Sequence, residues 1–322
     1  NVPAGVVTLR LDVEDGGGNV SRVDVPVIVL AGPQPGQFSL SFTDLTVPMS
    51  GIPISVIRTY DSRDRRPGDF GAAWELDLTG MDLRVAPDQG LGWELVPGRF
   101  GSSALQPTAE HSVTISLPGG GQDVFDLLPS PRSALFVPLS FTRATYVPRR
   151  GTSGSLVPTG NTNLLVLEDA TGAELVDDMT LDPYEPEGFV YTRVDGTAFT
   201  LEADGAITRI EDLGGNVVTI DDDGITHSGG KSVTFERDAL GRIVAVTDPE
   251  GNVQTYRYSA AGDLVAHTDR EGNATTFGYD DGHYLTQILD PLGRQAVRME
   301  YDDQGRLVAT IDAEGQIGRA HV

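Results

Sequence analysis

The sequence predicts an all-β protein: a ribbon of successive β-hairpins that forms part of a curved single-layer shell, preceded by a partial β-sandwich hairpin. Three observations predict this class. The 322 residues include 39 glycines and 20 prolines, which suit many short strands joined by tight turns. Apolar and polar residues alternate in several segments, and no segment carries an apolar stripe of helical period. A motif of about 21 residues recurs in the second half of the chain.

The first predicted element is a hairpin within residues 1–32. Apolar and polar residues alternate over Val7–Val13 and again over Val23–Val29, and the glycine-rich stretch Asp15–Asn19 suits the turn between them. Two strands do not make an independent domain. The pattern resembles the last hairpin of a bacterial immunoglobulin-like domain, so we expect the chain to be a fragment whose upstream strands are missing. Residues 33–36 follow as a short, stiff linker.

The repeat is the strongest signal in the sequence. Five aspartates share their surroundings: a branched aliphatic stands five residues before each, and a glycine three residues after each. The last four are spaced by 21, 21 and 22 residues. They are Asp212, Asp248, Asp269, Asp290 and Asp312. Repetition at several matched positions predicts a repeat architecture.

One repeat divides into two strands and two turns. Arg242–Thr247 and Val253–Tyr258 have strand patterns, Asp248–Asn252 supplies the turn between them, and Ser259–Gly262 turns into the next copy. A lone hairpin is unstable, so successive copies must pair into one continuous sheet. Neither predicted face is wholly apolar, which is typical of a single-layer wall between solvent and a lumen.

The repeat resembles the YD repeats of RHS proteins, of their wall-associated bacterial relatives and of the animal teneurins. The resemblance rests on Gly241–Asn252 and on Tyr301-Asp302-x-x-Gly305-Arg306-Leu307. It implies a β-ribbon wound into a hollow shell, which in bacterial members encloses a C-terminal toxin. It assigns residues 191–316 to the YD repeats.

Residues 37–190 are interpreted as the N-terminal β region of the same shell. The strand Arg58-x-Tyr60-x-Ser62, followed by the turn Gly71–Trp74, looks like the opening of an RHS shell. Trp74 and Trp93 also fit a simpler role as core aromatics, and that alternative stays open.

Three segments depart from the repeat. In the third copy His283 stands where the other copies have glycine, and the strand Gln295–Glu300 lacks aromatics; we interpret this copy as containing a bulge or a wider turn. The interval from Asp212 to Asp248 is 36 residues and predicts one extra tight hairpin. Residues 317–322 are not expected to continue the repeat, and they look like a translated sequencing adapter.

Composition excludes several classes of partner. There are 47 acidic and 23 basic side chains, a formal charge of −24, which repels nucleic acids and anionic lipid. The chain has no cysteine, which excludes disulfides, thiolate metal sites and cysteine nucleophiles. The longest apolar run, Val27–Ala31, is too short to insert into a membrane.

No pattern of catalytic, cofactor-binding or metal-binding residues emerges, so we expect none of the three and predict that the chain is not an enzyme. The five histidines lack zinc-site spacing, Gly151–Ser155 lacks the nucleophile-elbow spacing, and Gly119–Gly121 has no following lysine. Asp221–Asp223 could bind Ca²⁺, but it lacks the spacing of a calcium loop and better fits a solvated turn. The histidines are His111, His227, His267, His283 and His321.

The predicted function is structural: a shell segment that encloses a C-terminal toxin or effector in a secreted or cell-surface bacterial protein. Its partner would be the remainder of its own chain, including the encapsulated C-terminal domain. The alternative is a surface adhesin or carbohydrate-binding repeat protein that contacts cell-surface glycans. A row of exposed aromatics along one sheet face would favour that alternative.

Overall fold

The computed structural model describes residues 5–14, 20–29, 38–118, 121–136, 138–169 and 172–319. Within them the chain forms 32 strands and one short 3-10 helix, Arg99–Gly101, which confirms the all-β class. The chain divides into two compact units. The first comprises residues 1–49, 53–78 and 222–322, and the second comprises residues 50–52 and 79–221. The predicted linker at 33–36 and the predicted turn at 15–19 lie outside the described residues.

The first unit begins with seven strands. They are β1 (Gly5–Glu14), β2 (Val20–Val29), β3 (Ser39–Val47), β4 (Ile54–Asp61), β5 (Pro67–Gly68), β6 (Gly71–Ala72) and β7 (Trp74–Leu76). Strands β1 and β2 form the expected antiparallel hairpin. Strands β3, β4 and β7 form a three-stranded sheet with β4 in the centre. We call this sheet the N-terminal sheet.

The N-terminal sheet contains one bulge, and its position matters for the site described below. Strand β3 pairs with β4 in register from Ser39 to Thr43, but the register shifts between Thr43 and Leu45. Asp44 is therefore the extra residue of the bulge. A bulge changes the direction in which a side chain points, and the side chain of Asp44 is buried.

The second unit contains fifteen strands in three antiparallel arrangements. They are β8 (Asp82–Val85), β9 (Trp93–Pro97), β10 (Ser102–Pro107), β11 (Ser112–Ser116), β12 (Gln122–Leu127), β13 (Ser133–Leu135), β14 (Phe141–Arg143), β15 (Tyr146–Pro148), β16 (Ser155–Thr159), β17 (Asn163–Asp169), β18 (Gly172–Asp177), β19 (Gly188–Thr192), β20 (Ala198–Glu202), β21 (Ile207–Glu211) and β22 (Val217–Asp221). The strand orders are β13-β10-β9-β18-β17-β14, β15-β12-β11-β8 and β16-β19-β20-β21-β22. Trp93 and Phe125 are among its buried aromatics.

The first unit ends with ten strands in which neighbours in sequence are neighbours in the sheet. They are β23 (Gly224–His227), β24 (Ser232–Arg237), β25 (Ile243–Thr247), β26 (Val253–Tyr258), β27 (Leu264–Thr268), β28 (Ala274–Tyr279), β29 (Leu285–Leu289), β30 (Gln295–Tyr301), β31 (Leu307–Asp312) and β32 (Ile317–Arg319). We call this run the repeat sheet. It confirms the predicted ribbon of hairpins, and β23–β24 is the expected extra hairpin.

The two faces of the repeat sheet differ, but the alternation predicts their burial only in part. Ile243 and Ala245 are buried in β25, as are Leu264 and Ala266 in β27, whereas Val244 is half-buried. Val246 and His267, which alternation assigns to the other face, are buried too. Both faces of these strands therefore contribute buried side chains.

The end of the described chain corrects one prediction. Residues 317–322 were not expected to continue the repeat, but Ile317–Arg319 forms β32 and pairs with Ala309–Ile311 of β31. The turn Asp312–Gln316 has the repeat geometry, so it returns the backbone beside β31 whatever side chains follow. Residues 320–322 lie outside the described residues.

Candidate functional site

One five-residue turn recurs through the strand hairpins of residues 193–316. Its first residue donates its amide to the carbonyl of the fifth, and the amide of the fourth donates to the carbonyl of the first. This is a type I turn followed by a left-handed residue, a common three-residue hairpin loop. Twelve such turns occur in the described residues. Their first residues are Arg193, Glu202, Asp212, His227, Asp238, Asp248, Ser259, Asp269, Asp280, Asp290, Asp302 and Asp312.

The aspartate that opens most of these turns is bonded within its own turn. Asp248 Oδ1 accepts the amides of Glu250 (3.0 Å) and Asn252 (2.8 Å), and Asn252 Nδ2 donates to Asp248 Oδ2 (2.8 Å). Desolvation opposes ionisation of Asp248, but the hydrogen bonds from Asn252 and Glu250 hold its pKa below the usual value. Where arginine is the fifth residue, as in Arg306, the guanidinium binds the same carboxylate. Some of the many acidic side chains therefore serve to form the turns.

The tyrosine of the repeat has an equally regular role. Tyr279 donates its hydroxyl to the carbonyl of Leu264 at 2.9 Å, and Tyr301 donates to Leu285 at 3.0 Å. Tyr258 donates in the same way to Ile243. Each tyrosine thus ties the last residue of one strand to the first residue of the preceding strand, at the end of the hairpin away from its Asp turn.

The third copy keeps the common turn, which corrects part of the prediction for it. His283 donates its amide to Asp280 at 3.0 Å and lies at φ 64°, so it occupies the left-handed position that glycine holds in the other turns. The turn is not wider. The predicted bulge is present elsewhere in the copy, because the register of β29 and β30 shifts between Ile288 and Leu289. His283 Nδ1 lies 2.8 Å from Asp263 Oδ1.

A buried charged cluster joins the N-terminal sheet to the repeat sheet; we call it the arginine clamp. Arg58 of β4 is fully buried and donates through Nε (2.8 Å) and Nη2 (3.0 Å) to the two carboxylate oxygens of Asp44. Two side chains of β26 complete it. Tyr256 donates its hydroxyl to Asp44 Oδ2 at 2.9 Å, and Gln254 Nε2 donates to the Asp44 carbonyl at 2.8 Å.

Aromatic rings surround the guanidinium of Arg58. Its Cζ atom lies 4.7 Å from the ring centroid of Phe42, 5.0 Å from Trp74, 5.2 Å from Phe277 and 5.7 Å from Tyr256. Nη1 has no hydrogen-bond partner among the described residues. Attraction between the cation and the ring faces offsets part of that deficit.

The electrostatics of the clamp keep the pair charged. Burial opposes ionisation of Asp44, but the neighbouring Arg58 charge holds the pKa of Asp44 below its usual value. Burial likewise opposes charge on Arg58, and Asp44 raises the Arg58 pKa. Burial lowers the pKa of His267 to about 4, against a weaker opposite effect of Asp44. His267 is therefore neutral, with Nε2–H donating to Gln254 Oε1 at 2.8 Å.

Further contacts extend the clamp along the repeat sheet. Trp74 Nε1 donates to the Tyr279 hydroxyl at 2.8 Å. The amide of Leu285 donates to the Tyr60 hydroxyl at 3.0 Å, and the amide of Ile243 donates to the carbonyl of Asp69 at 2.8 Å. The first residues of β25 and β29 thus donate hydrogen bonds to residues in the segment from β3 to β7.

The structure brings together part of what the sequence singled out. Arg58, Tyr60 and Trp74 of the predicted shell opening all join the clamp region. Trp93 is buried in the second unit and stacks on His111, with ring centroids 4.3 Å apart. The core alternative for the two tryptophans is therefore confirmed. Sequence reasoning missed Asp44, although an acid inside the otherwise apolar and hydroxyl-bearing strand Ser39–Val47 was a usable signal.

The other candidate motifs take structural positions. The amides of Ser153 and Gly154 donate to Asp123, at 3.0 and 2.9 Å. Asp222, within the triple aspartate, is almost fully exposed. Within the described part of the chain, no three histidine, aspartate or glutamate residues are grouped to hold a metal ion.

Two family models match the chain. The Teneurin YD-shell model matches residues 184–317, the segment that contains the twelve turns. Residues 184–317 are a YD-repeat shell segment. The second model, a domain of unknown function named DUF6531, matches residues 33–96, which include the N-terminal sheet. The resemblance to RHS and YD-repeat shell proteins is confirmed.

Solved structures with matches include three toxin complexes, each at 12% identity over 96% of this chain. They are the Photorhabdus luminescens Tc holotoxin pore with the mutation TccC3-D651A (TM-score 0.19), TcdB2-TccC3-TEV (0.18) and TcdB2-TccC3-Cdc42 (0.18). The chain spans 21% of the length of those chains. No curated protein matches it. Among the described residues, no helix has the length and apolar character needed to cross a membrane.

Proposed function

We propose that this chain is a structural, non-catalytic wall segment of an RHS-repeat shell, and that the shell encloses a C-terminal toxin or effector in a secreted or cell-surface protein. The observation that carries the proposal is how the polar groups are used. Turn carboxylates bind their own turns, repeat tyrosines tie neighbouring strands, and the Asp44–Arg58 pair joins two sheets. These groups serve the wall.

The proposal includes the domain organisation and the partners expected from the sequence. Residues 1–32 would be the end of an immunoglobulin-like domain, 37–190 the N-terminal region of the shell and 191–316 its YD repeats. The main partner would be the remainder of the same polypeptide, including an enclosed C-terminal domain.

Protease protection tests enclosure. A longer protein is expressed that contains this chain and the proposed C-terminal domain after it. It is treated with a nonspecific protease, and the C-terminal segment is followed by mass spectrometry. We expect the segment to survive in the folded protein and to be digested when Arg58→Met opens the wall. Arg306→Met, which removes an exposed arginine, should preserve protection. Digestion of the segment at the same rate in the unaltered protein as in the unfolded one would refute enclosure.

The adhesin alternative has less support in its aromatic-stacking form. A protein that binds glycans by ring stacking needs aromatics side by side on a sheet face. Among the described residues, the exposed aromatics of the second unit include Phe136, which lies in a loop, and Phe141, at the edge strand β14. The two do not form a row along one face.

A further inference from the structure

The second unit contains a polar groove that the shell proposal does not use. Its volume is about 740 Å³, within the range of about 300–1,000 Å³ typical of small-molecule sites. Its floor is one face of the sheet β12-β11-β8, so regular strands fix the positions of its side chains. We call it the β8–β12 groove.

The floor presents polar side chains in ordered rows. Ser116 of β11 lies opposite Asp82 on one side and Gln122 on the other, and Thr114 lies opposite Arg84 in the next row. Rows on one face are separated by about 6.7 Å, and neighbouring strands by about 4.8 Å. Asp82, Arg84 and Gln122 are exposed, so a bound molecule can reach them.

Two loops also contribute to the lining of the groove. Leu91 and Ala109 are their apolar lining residues. Gly92 lies at φ 74°, and a Cβ there would be 2.8 Å from the Cβ of Ala109, so only glycine lets the loops approach this closely. The groove therefore combines a floor of hydrogen-bonding side chains with a small apolar surface.

We propose that the β8–β12 groove binds a neutral oligosaccharide. Sugar hydroxyls both donate and accept, which matches a floor of carboxylate, guanidinium, amide and hydroxyl groups. The C–H face of a sugar ring can pack against Leu91 and Ala109. Charge supports a neutral ligand. The lining holds one arginine, Arg84, beside the acids Asp82, Asp88 and Glu110, and Glu110 is already paired with Arg149 at 3.2 Å, so little net charge remains for an ionic ligand to neutralise.

The inference is independent of enclosure and is tested on the whole 322-residue chain. Maltotriose, cellotriose and tri-N-acetylchitotriose serve as neutral probes, with trilysine and trigalacturonate as charged ones. Binding is measured by ligand-observed NMR titration. We expect saturable binding of at least one neutral probe, with a Kd on the order of 1 mM. Arg84→Met and Gln122→Leu should each weaken that binding by about tenfold or more, which is about 1.4 kcal/mol.

Arg150→Met is the matched control, since Arg150 is exposed in the same unit but does not line the groove; it should bind as the unaltered chain does. Circular dichroism confirms that each variant is folded, and chemical-shift changes in the unaltered chain should map to β8, β11 and β12. Three results would each overturn the proposal: no neutral probe saturates by about 20 mM, trilysine or trigalacturonate binds in place of the neutral probes, or the groove variants bind unchanged.

Discussion

Replacing Arg58 with methionine perturbs the arginine clamp most directly. Methionine keeps much of the side-chain volume but removes the guanidinium, so Asp44 stays buried with its two shortest charge contacts, at 2.8 and 3.0 Å, gone. Removing one partner of a buried ion pair costs about 3–5 kcal/mol, because the remaining charge is uncompensated. Tyr256 still donates to Asp44, so we expect a value near the lower end, about 3 kcal/mol. Urea unfolding followed by tryptophan fluorescence measures it, since Trp74 lies against Arg58.

The double variant Asp44→Asn with Arg58→Met separates the pair from the residue. It removes both charges, so it should be destabilised by less than the sum of the single variants. Arg306→Met is the matched control: Arg306 lies 2.7 Å from Asp302, close to the 2.8 Å of the clamp, but about half its side-chain surface is exposed. Its loss should cost about 1 kcal/mol or less. Equal costs for Arg58→Met and Arg306→Met would refute the reasoning from burial.

Three further predictions follow from the turns and from His267. Gly251 lies at φ 86°, so Gly251→Val should lower the free energy of unfolding by about 1–2 kcal/mol. The control Gly278→Val, in the interior of β28, should be neutral or stabilising. Equal urea midpoints for the two variants would contradict this. His283→Gly should raise the free energy of unfolding by about 1 kcal/mol. Relief of the left-handed backbone strain at residue 283 exceeds the loss of the half-exposed ion pair with Asp263. A lower thermal midpoint for the variant would contradict this. The pKa of His267 is lowered from 6.5 to about 4, so the unfolded chain binds the proton more tightly than the folded chain does. The free energy of unfolding should therefore be greatest above about pH 6.5 and fall by up to about 3 kcal/mol as the pH drops through about 4. In a pH series of urea titrations, His267→Gln should reduce the change in the free energy of unfolding over this pH range.

The repeat sheet could be predicted because its determinants are local. A turn aspartate bonds to amides two and four residues later, and a left-handed residue must follow at a fixed distance, so the pattern is written within five residues. Gly251 and Gly272 lie at φ 86° and 87°, in the left-handed region that this turn requires. His283 shows the limit of this reasoning: its side chain tolerates the left-handed region, so the turn persists without the residue that marks it.

The sequence also contained a shorter period than the one identified from it. The turns at Asp238, Ser259, Asp280 and Asp302 fall between the predicted Asp turns and have the same hydrogen bonds. The return turn at Ser259 was predicted, but its identity in geometry with the Asp turns was not, because its first residue is serine rather than aspartate. The Asp-x-x-Gly-Arg pattern at Asp238 and Asp302 was the available signal.

The arginine clamp could not be predicted, because its members come from distant parts of the chain. Asp44 and Tyr256 are separated by 212 residues, and Trp74 and Tyr279 by 205. Nothing local pairs them; they meet only after the N-terminal sheet packs on the repeat sheet. A single sequence also cannot show that a bulge at Asp44 directs a carboxylate inward.

Amide hydrogen exchange at Ile243 and Leu285 tests the central claim, that the segment from β3 to β7 is an integral part of the wall formed by the repeat sheet. These two amides donate to the Asp69 carbonyl and the Tyr60 hydroxyl. If the claim holds, both should exchange as slowly as amides in the interior of β25 and β26, and Arg58→Met should accelerate them. If both exchange as fast as turn amides while the interior of the repeat sheet stays protected, the N-terminal sheet does not hold the wall and the claim is contradicted.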